Sequence, residues 1–151
     1  MELQIPVSYG QLCVFDPSLD APYNGWAAEH VAQGFSWRPG SVSFAMDDDC
    51  ALAVVEVAVA DGPPSLDAAE SAIRTPFVAA ATGTVEIGSV LSGFEVPLPP
   101  GPYALYFLTP RGEAQPFQLI FVPADDVSPA VLKEGRNAKI HSRYLMDASP
   151  A

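Results

Sequence analysis

Gly25-Trp26-Ala27-Ala28-Glu29-His30-Val31-Ala32-Gln33-Gly34-Phe35-Ser36-Trp37-Arg38-Pro39-Gly40-Ser41-Val42-Ser43-Phe44 changes its period halfway along. Trp26, His30 and Gln33 stand at i, i+4 and i+7, one face of a short helix. Gly34 is a natural stop for that helix. Beyond it Phe35 and Trp37, then Val42 and Phe44, recur with period 2, a strand entered through the Pro39-Gly40 turn. The stretch therefore predicts a short helix near residues 26–34 set against a sheet, with both tryptophans at the junction. Trp26 and Trp37 read first as core packing. Their sharper reading is part of a binding surface.

The rest of the chain reads as strands. Leu3–Val7 and Gln11–Phe15 alternate, separated by Tyr9-Gly10, and a Pro/Asp/Asn-rich loop follows from Asp16 to Asn24. Cys50–Val59 is the most apolar run and carries Val54, Val55, Val57 and Val59, which suits a central strand. It follows Ser41–Met46, so Asp47-Asp48-Asp49 is expected at a hairpin tip. Ser65–Ala72 reads as a helical turn, or Ser71–Val78 as a strand that Pro76 confines to an edge or a bulge. Thr84–Ile87, Phe94–Leu98, Tyr103–Leu108 and Phe117–Val122 complete the set, and Ser128–Glu134 is expected as a short C-terminal helix. Turn signals every 8–12 residues predict an all-β, antiparallel sandwich. The expected division is a sandwich domain over 1–124 and a partly flexible extension over 125–151.

Composition narrows the function. Of 151 residues 49% are hydrophobic and 17% charged, so the chain is not of the disordered class. No apolar run approaches the roughly 18 residues of a membrane span. The N-terminus lacks a basic n-region, so no signal peptide is expected and a cytoplasmic location is. Cys13 and Cys50 are expected as buried thiols, and two histidines, His30 and His141, give no zinc spacing. The formal net charge is −11. Residues 1–132 hold sixteen acids and three bases, whereas 133–151 hold two acids and four bases. Such a body repels DNA and RNA and attracts a basic protein partner. The plainer reading is solubility.

Trp26 to Phe44 resembles the signature of the competence protein J family, whose founding member inhibits a DNA-entry nuclease. A second block is similar as well: Thr75-Pro76-Phe77-Val78, then Val85-Glu86-Ile87-Gly88-Ser89-Val90, then Phe94-Glu95-Val96-Pro97-Leu98-Pro99-Pro100-Gly101-Pro102-Tyr103-Ala104-Leu105. The resemblance spans roughly residues 3–110. It implies a small protein that binds a nuclease and blocks it. The charge fits independently, since an acidic inhibitor can occupy the basic groove of a nuclease in place of the phosphate backbone. A carboxylate could also reach a nuclease's divalent cation. The resemblance carries no binding residues over to this chain.

Candidate partner-binding residues therefore come from the residues themselves. Asp47, Asp48 and Asp49 are adjacent acids that can present carboxylates at near-phosphate spacing. A solvated turn and a Ca²⁺ site are the alternatives, although the run lacks the spaced D-x-D-x-D-G of an EF-hand loop. Asp125 and Asp126 form a second acidic pair, with a helix N-terminus or a turn as the plain reading. Glu29 beside His30 suggests acid/base chemistry but has no nucleophile near it, and His30 reads as a packing residue on the helix face. No G-x-S-x-G, H-E-x-x-H, P-loop or G-x-G-x-x-G occurs, so nothing positive supports an enzyme. The expectation is a cofactor-free, non-enzymatic nuclease inhibitor acting through Asp47–Asp49, Glu29, Trp26, Trp37 and Asp125–Asp126. The alternative is a β-sandwich module that binds Ca²⁺ or a small ligand through its acidic loops.

Overall fold

The computed structural model describes residues 1–151 as two packed β-sheets and one short helix. The strands are β1 (Glu2–Pro6), β2 (Gln11–Phe15), β3 (Phe35–Arg38), β4 (Ser41–Ala45), β5 (Leu52–Val59), β6 (Ala69–Ala79), β7 (Thr84–Gly88), β8 (Gly93–Pro97), β9 (Gly101–Pro110), β10 (Phe117–Pro123) and β11 (Ala130–Lys133). The helix α1 covers Ala28–Gln33. One sheet has the order β1-β5-β10-β9-β6-β11, and the other β3-β4-β2-β7-β8. Pairings are antiparallel except β5 with β10, where Phe117 sits opposite Val55 in parallel. A parallel pair needs a long crossover, and β6 to β9 supply it. No helix is long and apolar enough to cross a membrane.

Period-2 alternation places the core between the sheets. Leu12 and Val14 of β2, Val42 and Phe44 of β4 and Val85 and Ile87 of β7 face Val55, Phe77, Leu105, Phe107, Leu119 and Phe121 of the other sheet. Phe44 stacks on Phe107 across the gap, with centroids 4.6 Å apart. A smaller apolar layer, built on Ala72, Ala104, Tyr106, Leu108, Ile120 and Val122, lies on the outer face of the six-stranded sheet. Leu66, Val127 and Leu132 cover it from the connecting segments.

The outer face of the five-stranded sheet is covered by residues 16–27. Asn24 donates to Ser36 O (2.9 Å) and Ser41 O (3.1 Å), and Tyr23 packs edge-on against Phe15. This cover buries Cys13, whose thiol is pushed from an ordinary 9.0 up to about 11 by burial, with the Ser43 hydroxyl's bond to sulfur opposing. The sign is fixed by which state ionises first. Below pH 9 both folded and unfolded thiols keep the proton, and burial stabilises the fold in full. Between pH 9 and 11 only the unfolded thiol releases it, so stability falls as pH rises, by about 2–3 kcal/mol at most. Denaturant titrations at pH 8 and pH 10.5 are expected to show that loss in the wild type and a smaller one in Cys13→Ala. Equal losses in both would assign the alkaline limb elsewhere.

Three expectations are corrected. Ser128–Glu134 is not a helix: Ala130–Lys133 forms β11, because Val131 and Ala130 find backbone partners in Ile73 and Arg74 at an otherwise open sheet edge. Ser65–Ala72 does not form a helical turn; the run enters strand β6 at Ala69. Asp47–Asp49 is not a hairpin tip. Ser41–Ala45 and Leu52–Val59 belong to different sheets, so the three acids lie on a crossover between them. α1 begins at Ala28, leaving Trp26 ahead of it, and Gly34 ends it in the left-handed region (φ 88°) with its N–H on His30 O at 2.9 Å.

The C-terminal segment packs back on the sandwich. Gln33 donates to Leu145 O and accepts from Leu145 N–H, both at 2.9 Å. Tyr144 packs against Phe35, and its hydroxyl accepts from Val131 N–H. Ala148 N–H donates to Trp37 O, and Asn24 bridges to Pro150.

Candidate protein-partner surface

One end of the sandwich gathers the crossover at residues 46–51, the β1–β2 turn at 7–10 and the β7–β8 loop at 89–92. Met46 N–H donates to Gly10 O (2.8 Å) and Val7 N–H to Ala51 O (2.9 Å). Cys50 N–H closes the acidic turn onto Asp47 O at 3.0 Å. Asp47 is half-exposed; its carboxylate accepts from Asn137 Nδ2 (2.8 Å) and faces Arg136 Nη1 at 3.5 Å. Asp48 and Asp49 are exposed and unpaired. A Cβ on Gly10 would stand 3.1 Å from Asp48 Oδ1, which puts that carboxylate against the β1–β2 turn.

Arg136–Asp47 is the protein's one ion pair, although the chain has eighteen acids and seven bases. Like charges even sit directly opposite each other, Glu2 across from Glu56 and Glu86 across from Glu95. Such pairings cost stability. The acidic field is therefore left uncompensated at the surface rather than consumed in internal pairs.

The structure brings some of the expected residues together and separates others. Trp26 is half-buried and donates from Nε1 to Gln11 Oε1 (3.2 Å), next to the Gly10 turn. Trp37 also is half-buried, and its indole donates to Pro76 O at 2.7 Å, so it spans the two sheets. Glu29 is exposed on α1. His30 is buried, its Nδ1 accepts from Ala27 N–H (2.8 Å), its ring meets Trp26 edge-on, and its Nε2 has no protein partner. His30 is therefore enclosed while Glu29 beside it in sequence stands in solvent. Asp125 and Asp126 are exposed beyond β10, which runs parallel to β5 and away from the acidic crossover. At about 3.3 Å per residue that places them roughly 25 Å off, at the opposite end.

Two exposed side chains at the acidic end escaped the sequence reading. Tyr9 is 78% exposed and Leu91 80% exposed. Their loops are tied together: Ser8 N–H donates to Ser89 Oγ (2.9 Å), Ser89 Oγ donates to Gln11 O (2.7 Å) and Leu91 N–H to Ser8 Oγ (3.3 Å). Tyr9 (φ 55°) and Gly10 (φ 60°) both occupy the left-handed region, and Ser8 bridges to Gln11. Two positive φ values at the centre of a four-residue turn call for Asn-Gly or Gly-Gly. In sequence Tyr9-Gly10 carries only half of that signal, the glycine.

The Cys50 thiol is pushed up by burial and by the charges of Asp47 and Asp49, so it resists ionisation and is a poor nucleophile. No group of three or more His, Cys, Asp or Glu side chains is placed to hold a metal ion. Two recesses of ≈230 Å³ and ≈180 Å³ are smaller than usual ligand pockets, and neither includes a residue of the Asp47–Asp49 turn.

Fold and surface together define a class: a β-sandwich with an uncompensated acidic surface and a hydrogen-bonded cluster of loops at one end. The chain belongs to the competence protein J (ComJ) family, whose model matches residues 4–124. Its fold is similar to that of the crystal structure of ComJ, inhibitor of the DNA degrading activity of NucA, from Bacillus subtilis. The TM-score is 0.70 at 19% identity, over 82% of this chain and 96% of that one. No curated protein sequence matches the chain.

Proposed function

We propose that this protein inhibits a DNA-degrading nuclease by occupying its basic nucleic-acid groove, without catalysis or cofactor. Membership of the competence protein J family and the likeness to an inhibitor of a DNA-degrading activity support the class of partner. The observation that carries the mode of binding is the acidic surface with a single internal ion pair. A nuclease must present cations to the phosphate backbone, and an acidic protein approaches that same surface under attraction. Exposed Asp48 and Asp49 are placed to meet it, and their carboxylates are hard oxygen donors suited to a catalytic divalent cation. Asp125 and Asp126, at the far end, stand outside this contact.

The test is inhibition of a cationic DNA nuclease from the same host at several salt concentrations. Asp48→Lys/Asp49→Lys is expected to slow association about tenfold at low salt, with a smaller effect near 0.5 M salt, where screening is strong. Asp125→Lys/Asp126→Lys is expected to change it far less. Equal effects from the two ends would leave only net charge at work, and no effect from either would remove the groove-blocking mode.

A further inference from the structure

The geometry points to Tyr9 and Leu91 as the apolar anchor of a protein-docking surface, held between the two tied loops and rimmed by Asp48 and Asp49. This deepens, and rests on, the nuclease-inhibitor reading. The partner it fits is the basic face of the nuclease, carrying an apolar recess within its cationic groove.

Four observations meet at this end. Tyr9 and Leu91 are among the most exposed large side chains in the protein, in a chain that otherwise buries its aromatics well. The hydrogen bonds among Ser8, Ser89, Gln11 and Leu91 hold the two loops in fixed relation, so little ordering entropy is lost on binding. Asp48 lies against the same turn, at Gly10, and the only nearby cation in an ion pair is Arg136, which Asp47 already engages. Tyr9 sits at φ 55°, where a tyrosine is disfavoured and asparagine or glycine is at ease. A side chain 78% exposed at a strained φ covers little of this fold. Its use lies in contact with something else. Aromatic anchors ringed by charge are how protein interfaces concentrate their affinity. The charge surrounding the anchor selects a basic protein: a second copy of this acidic chain would be repelled, and so would nucleic acid.

The experiment compares the full-length protein with Tyr9→Asn and with Leu91→Ser, measuring binding kinetics to the cationic nuclease alongside thermal unfolding. Tyr9→Asn is expected to weaken binding about tenfold or more, through faster dissociation, with little salt dependence. Its melting temperature is expected to hold or to rise by a few degrees. Leu91→Ser is expected to weaken binding several-fold with no change in melting. This pattern separates the anchor from the charged rim, which acts on association. If the wild type binds the nuclease and neither variant loses affinity, the anchor is refuted while the inhibitor reading stands. If both variants lose affinity only in proportion to lost melting temperature, the effect is on folding and the anchor is likewise refuted. If the wild type binds no cationic nuclease, the inhibitor reading falls and the anchor falls with it.

Discussion

Phe107→Ala is expected to lower the melting temperature by roughly 10–15 °C. Phe107 is 1% exposed on β9 and stacks on Phe44 of the opposite sheet at 4.6 Å, and on Phe117 at 5.9 Å with the rings nearly parallel. The ring therefore joins three strands and both layers. Truncation removes its transfer energy and leaves a cavity that two rigid sheets cannot close. Losses for buried Phe→Ala run at about 3–5 kcal/mol. In a domain of this size each kcal/mol moves the midpoint by about 2–4 °C. Phe94→Ala is the matched control, since Phe94 lies on edge strand β8 and is 43% exposed. Calorimetry on the two variants decides the matter: a Phe107→Ala shift no larger than that of Phe94→Ala would mean that the sandwich core is not organised around this stack.

The core was legible in the sequence because alternation is a local signal. Phe35, Trp37, Val42 and Phe44 showed their inward face without any tertiary information, and all four do point inward. Gly34 was legible for a different reason: few residues besides glycine end a helix at φ 88°. Strand pairing was not legible. Nothing in Ser41–Val59 says that its two strands enter different sheets, because periodicity reports a face and never a neighbour. That is why Asp47–Asp49 was expected on a hairpin. Pro76 was half legible. Its sequence reading is an edge or a bulge; it lies inside β6, yet β11 pairs only with Ala72 to Arg74. At Pro76 the side away from β9 has no ladder to lose, and Trp37 uses its carbonyl instead. β11 itself went unread because four residues carry too little pattern to outweigh a helical reading, and only the waiting edge of β6 decides the outcome.

The candidate surface shows the same division. The acids were legible as charge, since three adjacent aspartates need no fold to be noticed. Which of them are left without a partner inside the chain was not. Asp47 is engaged by Arg136 and Asn137, some ninety residues later in the chain, and Asp125 and Asp126 are carried to the other end by the direction of β10. Trp37 looked like Trp26 in sequence and differs from it only in what lies opposite, Pro76 in one case and Gln11 in the other. Tyr9 is not legible as exposed, because an exposed aromatic and a buried one read alike until the turn's positive φ values are known.

Gly34→Ala is expected to cost about 3–4 kcal/mol, and it links the fold to the acidic end. Two separate penalties add. At φ 88° an alanine pays the left-handed cost of about 1–2 kcal/mol. Its Cβ would also stand 3.0 Å from the Cα and Cβ of Ala138 and closer still to Asn137 O, which is backbone and cannot swing aside. Ala138 is buried, and its carbonyl accepts from Gly135 N–H, so the turn can yield only as a unit. When it yields, Asn137 leaves Asp47, and the one hydrogen-bonded carboxylate of the acidic crossover is released. Gly83 isolates the first penalty: its φ is 76°, and nothing lies within 4 Å of an added Cβ. Gly83→Ala is therefore expected to cost only about 1–2 kcal/mol, and Gly83→Asn less, because asparagine tolerates this region. Gly34→Asn gains no such relief, since its Cβ meets the same backbone. Denaturant unfolding of the four variants gives the answer. Recovery at position 83 on going from alanine to asparagine, with none at position 34, marks Gly34 as a contact between the helix end and the 134–140 turn. Recovery at both would reduce Gly34 to a helix stop, and the hold of Asn137 on Asp47 would then not depend on it.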